Sequence, residues 1–418
     1  MVNTNDGALR GIAWTEICPW LGIFRTFRLA IGVRALAMAA VAISLTFAGW
    51  IGIGYVFSGG ADNPSKQLAV GCYDCPGAAL SGLVPDEPYF PDFSRPDLSN
   101  PEVASPVGPW WTLSGPLRKA LLGQDVTIRT FACFSLCGLW SLAIWAFFGT
   151  AITRIAAVQL AAGEQVTLGA ALRFACSKWI SCLSAPLFPV AGILIAAIPL
   201  CLLGLLLRTD VGILLMGIVW PLFLLAGLLM TILLLGLLFG WPLMWPTISS
   251  EGTDSFDALS RSYAYVYQRP LHYLFYVVVA TAFGALGWLL VSNFAAGVVS
   301  LTYWAAAWGC GNEQIGLIKS RASSLGEVGG AGSALILFWV GCVKVLAVGF
   351  LYSYFWTAST QIYLLLRRDV DATEMDEVYL DEDEGEEIYD LPPIEKDKAG
   401  APVVKDEQPE ETPPEEEE

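Results

Sequence analysis

The chain has 418 residues, 55% of them hydrophobic and 15% charged, yet its formal net charge is −16. A soluble chain carries charge on about a quarter of its residues. This composition therefore excludes a disordered protein, a nucleic-acid binder with a basic face and most soluble enzymes. The acidity is local. Of 39 acids and 23 bases, residues 369–418 hold 22 and 3, a net of −19, and the 17 acids and 20 bases before them net +3.

Residues 1–34 start polar and then turn amphipathic: Trp20, Phe24, Phe27 and Ile31 recur at helical spacing, with Arg25 and Arg28 beside them. Such a segment lies in a membrane interface, with rings in the headgroup boundary and bases at lipid phosphates. The first apolar run, Ala35 to Phe57, continues through Tyr55 without an A-x-A site followed by a mature domain, so it reads as a signal anchor.

Residues 58–130 form the one long loop, rich in Pro, Gly, Asp and Ser. Cys72 and Cys75 stand in it as C-x-x-C, which suits a small disulfide, a redox pair or half a zinc site. The single histidine, His272, is far away in sequence, and the loop is too short for a thioredoxin-like fold, so a disulfide is the simplest expectation. Trp110-Trp111, followed by Leu113, Leu117, Leu121 and Leu122, reads as an interfacial or partly re-entrant segment.

Further apolar runs follow, each long enough to cross a bilayer, for which about 20 helical residues suffice. Expected spans are 35–57, 131–152, 183–207, 217–245, 271–297 and 334–362. The run 211–248 contains Pro221, Pro242 and Pro246 and exceeds one straight span, so it is either one kinked helix or a tight hairpin. Lys344 is the one charge well inside a span. An intramembrane ionisable residue is a functional candidate, with Asn293 and Ser292 as possible neighbours, unless its stem carries the ammonium outward.

Two more amphipathic segments precede later spans. Leu168, Leu172, Ala175 and Trp179 form one, with Arg173 and Lys178; Phe256, Leu259, Tyr263 and Val266 form the other, with Arg261 and Arg269. The three copies suggest three units, each an interfacial helix followed by a helical hairpin. In the third, Thr253 or Asp254 caps the helix, Asp257 sits in its first turn, Arg261 follows four residues later, and Pro270 opens the next span. Lys and Arg gather at one side of the six spans, including Arg34, Arg154, Arg173, Lys178, Arg261, Arg269, Arg367 and Arg368. By the positive-inside rule both termini are cytoplasmic.

The string Cys18-Pro-Trp-Leu-Gly-Ile-Phe-Arg-Thr-Phe-Arg-Leu-Ala30, the segment Gly149-Thr-Ala-Ile-Thr-Arg-Ile-Ala156 and the Asp257-to-Pro270 string resemble uncharacterised multi-pass inner-membrane proteins of planctomycete-type bacteria. The chain is more loosely similar to glycerophosphodiester phosphodiesterase-associated membrane domains, without the catalytic domain's His and acidic metal ligands. The resemblance implies the architecture and a bacterial cytoplasmic membrane, and no activity.

Residues 369–418 lack apolar periodicity and end in four glutamates; low hydrophobicity with high net charge predicts a disordered acidic tail. It is either a solubilising extension or a docking arm for a basic cytoplasmic protein, with Tyr379, Ile388, Tyr389, Leu391 and Ile394 as apolar anchors. The expected fold is an all-α polytopic transmembrane helical bundle of about six spans, with juxtamembrane amphipathic helices. No P-loop, H-E-x-x-H or nucleophile elbow occurs, so no enzyme, cofactor or metal is expected. The function expected is structural, organising or partner-recruiting in the membrane, against a transporter or channel with its path near Lys344.

Overall fold

The computed structural model describes residues 18–57, 105–122, 127–320, 322 and 325–379. Among these there is no strand. A short 3-10 turn, Pro19–Gly22, leads into α1 (Ile23–Ala30) and α2 (Val33–Val56). There follow α3 (Gly108–Leu122), α4 (Ile128–Ala161), α5 (Leu168–Ser184), α6 (Leu187–Gly204) and α7 (Asp210–Glu251). The last four are α8 (Ser255–Gln268), α9 (Pro270–Cys310), α10 (Asn312–Ser320) and α11 (Gly326–Asp371). Six helical stretches are long and apolar enough to cross a membrane: α2, α4, the α5–α6 stretch to Arg208, α7, α9 and α11. The chain is a multi-pass membrane protein. Helices answer the demand of lipid that each backbone N–H and C=O find its partner within the segment.

Local sequence sets the boundaries. Thr127 and Thr130 form a reciprocal capping box at the start of α4, and Thr167 and Thr209 cap α5 and α7. Pro270 opens α9, where the missing N–H has no partner to lose. Residues 211–248 are one helix rather than a hairpin, with Pro221, Pro242 and Pro246 inside it.

The three repeats seen in the sequence become three structural units: α1 with α2 and α4, α5 with α6 and α7, and α8 with α9 and α11. The second long helix of each unit, α4, α7 and α11, packs on the other two and forms the centre. Each amphipathic helix docks on the last span of the preceding unit. Thus α5 lies on α4, α8 on α7, and α1 closes the circle on α11. Their apolar faces therefore meet protein as well as lipid. Trp20, Phe24 and Phe27 make ring contacts with Phe275, Phe283 and Phe350. Tyr263 of α8 lies against Gly236 and Gly240 of α7 and donates 2.8 Å to Leu233 O.

The circle is uneven. The outer span α2 packs on both α4 and α11, whereas α6 packs mainly on α7. Ile195, Ile198, Leu214, Ile218 and Leu224 on α6 and α7 are more than half exposed, as side chains facing lipid are.

Helix α3, which carries Trp110 and Trp111, packs inside the bundle on α4 and α11. Pro106, just before it, lies against Gly284 of α9, level with Tyr354 of α11, whose hydroxyl donates 2.7 Å to Ala280 O. Trp110 Nε1 donates 3.1 Å to Leu238 O of α7, and Pro116 lies against Gly138 of α4. At the start of α4, Arg129 donates to Phe57 O, just past α2.

Candidate functional site

Two places gather polar groups inside this apolar bundle. The larger lies at the end where α4, α7 and α11 stop. The bases Arg34, Arg154, Lys178, Arg261 and Arg367, grouped on one side by the charge rule, share this end. Arg34 Nη1 reaches Val166 O at 2.7 Å, Lys178 donates to Gly252 O, and the other three join the cluster described next.

Glu251 ends α7. Gly252 follows at φ +66°, a left-handed conformation that releases the chain toward α8 and that glycine adopts without strain. Glu251 accepts from Arg261 at 2.8 Å and from the Tyr363 hydroxyl, and its Oε1 lies 3.8 Å from Arg367 Nη1. Arg261 also bonds Asp257 at 3.1 Å, the pairing expected from their spacing of four. Burial lowers the affinity of the Arg261 guanidinium for its proton, but the Glu251 and Asp257 carboxylates outweigh burial and hold it above its ordinary range. Tyr265 is held neutral by burial and by Asp371, to which its hydroxyl donates. Asp254 caps α8 as expected, accepting from Phe256 N at 3.1 Å and Asp257 N at 3.0 Å. Arg269 is exposed at the α8–α9 corner, and Pro270 begins α9.

Arg154, one of the bases that the charge rule groups at this end, is 0% exposed. Its Nη1 donates 2.9 Å to Ser249 O and 2.6 Å to Tyr379 O, and its guanidinium lies 4.4 Å from the Phe174 ring centroid. Thr153 and Ser249 hydroxyls meet beside it at 2.6 Å. The available signal was the run Thr150, Thr153, Arg154 opposite Ser249, Ser250 and Glu251, two polar patches at the ends of apolar runs.

The chain from Asp369 to Tyr379, expected as the beginning of the tail, is folded. Asp369 to Asp371 complete α11. Ala372, at φ +55°, reverses the chain, and residues 372–379 run back across the bundle end as a strap. Tyr379 N donates 2.8 Å to Ser250 O, and Arg367 Nη2 donates 3.0 Å to Glu374 O and also to Glu377 O. Met375 and Val378 pack on the core, while Glu374, Asp376 and Glu377 are exposed. The strap thus offers main-chain carbonyls to two buried guanidiniums and turns its acids outward. Tyr379 covers Gly252, where a larger residue would strike its ring. Residues 380–418, with Ile388, Tyr389, Leu391 and Ile394, lie outside the described residues, as do Cys72 and Cys75.

The second place is Lys344. It is 6% exposed, so its side chain stays within the bundle. Asn293 is exposed, and its Nδ2 donates 2.7 Å to Leu289 O of its own helix; Ser292 is buried and bonds the same carbonyl at 3.3 Å. Among the described residues no group of three His, Cys, Asp or Glu side chains could hold a metal ion. No family model, curated protein or solved structure matches the chain.

Proposed function

We propose that the protein is a non-enzymatic organising component of a bacterial cytoplasmic membrane, with both termini cytoplasmic, that recruits a basic protein through its acidic C-terminal arm. The observation that carries this is the strap. The arm does not begin at the free end of α11. It begins at Tyr379, tied to Ser250 and Arg154, at the end of a strap that Arg367 holds through Glu374 O and Glu377 O. Residues 380–418 carry 17 acids and 3 bases, a net of −14, so whatever binds them meets a dense negative segment at a fixed origin. The resemblance to planctomycete-type inner-membrane proteins agrees with this assignment of membrane and organism class.

Crosslinked pull-down from native membranes tests it, with the full chain against a chain lacking 380–418. Loss of a basic partner with retained bundle stability is expected; an unchanged set of partners sinks the recruiting role.

A second reading, a transport path near Lys344, is favoured by one observation. Helix α3 packs inside the bundle on α11, the helix that carries this buried lysine. Uptake by proteoliposomes that is abolished by Lys344→Met supports it, and uptake indifferent to that change removes it.

A further inference from the structure

We propose that the face of α4 between α2 and α5 binds one acyl chain of a membrane phospholipid. The site is a cavity of about 380 Å³ lined by Trp140, Ala143, Ile144, Phe147 and Phe148 of α4 and Trp179 of α5. The α4 positions fall at i, i+3, i+4, i+7 and i+8, which is one face of a helix. Their neighbours Cys137, Trp145 and Ala146 are buried in the bundle core, on the opposite face. The cavity opens to the lipid side. Trp140 is 39% and Trp179 38% exposed, and the residues between them are half-buried. It is continuous with the lipid-facing surface on which Leu136, Leu139 and Ile180 stand exposed. The site is independent of both readings above.

The walls are fixed before anything enters. On one side the Trp140 ring lies over Gly49 of α2, where any side chain would collide with it, and its Nε1 donates 2.9 Å to Leu45 O. On the other, Trp179 Nε1 donates 2.9 Å to Ala143 O, which ties α5 to the floor of the groove. Phe147 and Phe148 meet edge to face at 5.1 Å. Each bulky ring is therefore held by another helix or another ring. An incoming chain orders little protein, so less of its contact energy is lost to entropy than on a loose surface.

Chemistry and depth select the occupant. The lining is wholly apolar, and both indole N–H groups are engaged by main-chain carbonyls. A water in a cavity needs about two to four polar partners, which this lining does not offer. Ile144 stands at the middle of α4, about 24 Å of helix from either end at ~1.5 Å per residue. With a hydrocarbon core about 30 Å thick, the middle of a spanning helix lies among acyl tails and away from headgroups. A tail fits here because it is apolar throughout and bends at every methylene, so it can follow a groove walled by rings and gain dispersion contacts along its length.

The test uses the full chain in phosphatidylcholine nanodiscs doped with phosphatidylcholine that carries a diazirine midway along one acyl chain. Crosslinks formed on irradiation are mapped by mass spectrometry. Labelling at residues 140–148 and 179 is expected to saturate as the doped fraction rises, and to exceed labelling of the exposed outer half of α7, residues 211–235, by about fivefold. Labelling on α7 should rise in proportion to the probe. Ile144→Trp fills the cavity and should cut its labelling by about fivefold, leaving α7 unchanged. Trp179→Ala removes one wall and should abolish saturation; that side chain is exposed, so the variant keeps the test open if Ile144→Trp fails to fold. Labelling that rises in proportion at both places, which is annular contact only, overturns the site, as does native labelling in Ile144→Trp. Labelling by a diazirine-bearing free fatty acid but not by the phospholipid overturns the choice of lipid. A chain-to-chain disulfide formed by Ile144→Cys, and not by the native chain, puts a second copy in the groove and overturns it too.

Discussion

The two halves of α7 have opposite fates. From Val211 to Leu235 the helix is leucine-rich and mostly exposed, with Leu214 at 70% and Leu224 at 64%. From Gly236 to Ser250 nearly every residue is buried. Glycines occur in both halves, but only in the inner one do they meet a ring from another helix. Gly236 and Gly240 let the Tyr263 ring of α8 approach, and Gly149 of α4 makes room for Trp245, which stacks on Trp356 at 4.3 Å. Small residues admit neighbouring helices in a membrane, where apolarity alone gives helices no reason to associate. The inner half then recruits polar groups as well, because Ser249, Ser250 and Glu251 lie where Arg154 and Arg367 need acceptors.

The sharpest way to break this contrast is to remove the same residue from each half. Trp245→Ala should cost about 4 kcal/mol, since a fully buried ring is lost together with the bond from its Nε1 to Cys182 O. Trp220→Ala, at 45% exposure, should cost under about 1 kcal/mol. Denaturant titration of both variants in the same nanodiscs gives the difference directly, and equal losses would erase the distinction. Next in size, Glu251→Ala should cost about 3 kcal/mol, because it leaves the buried Arg367 beside Tyr363 without its carboxylate. Arg261→Ala should cost only about 1 kcal/mol, since that side chain is 39% exposed to solvent screening.

Truncation separates strap from arm. Ending the chain at Asp371 should lower stability by about 2 kcal/mol, as Arg154 and Arg367 lose the strap carbonyls. Ending it at Tyr379 should leave the melting curve within error of the full chain. A protease-protection assay adds a second readout, with cleavage between 372 and 379 slow in the native protein. The smallest effects belong to α8. Asp254→Ala should cost about 1 kcal/mol through the lost cap, and Arg269→Ala less than about 0.5 kcal/mol. Thermal melts by circular dichroism rank the pair, and an Arg269 effect as large as that of Asp254 would assign it a contact beyond the corner it occupies.

Much of the architecture was legible in the residues. Apolar length gave six spans, and Asp254 with Pro270 marked where α8 and α9 begin. The repeated amphipathic segments announced three units, and Asp257 with Arg261 announced its own pair, because a separation of four residues puts two side chains on one helix face. The site was less legible. Arg154 and Glu251 are 97 residues apart, and nothing local says that a flanking arginine becomes wholly buried. The strap hid inside an acidic segment whose composition predicts disorder, since composition does not record that main-chain carbonyls can serve as ligands for buried arginines.

Local rules thus determined what is helix, what is long enough to span a bilayer, and where charge of each sign accumulates. They act over a few residues and are written in neighbouring side chains. The tertiary structure alone decided which half of α7 is buried, that α1 closes the circle on α11, that α3 packs on α4 and α11, and that the chain past α11 is tethered at Tyr379. Each of these depends on register between helices far apart in sequence. Register is set by the fit of rings against glycines and by guanidiniums reaching carbonyls across the bundle.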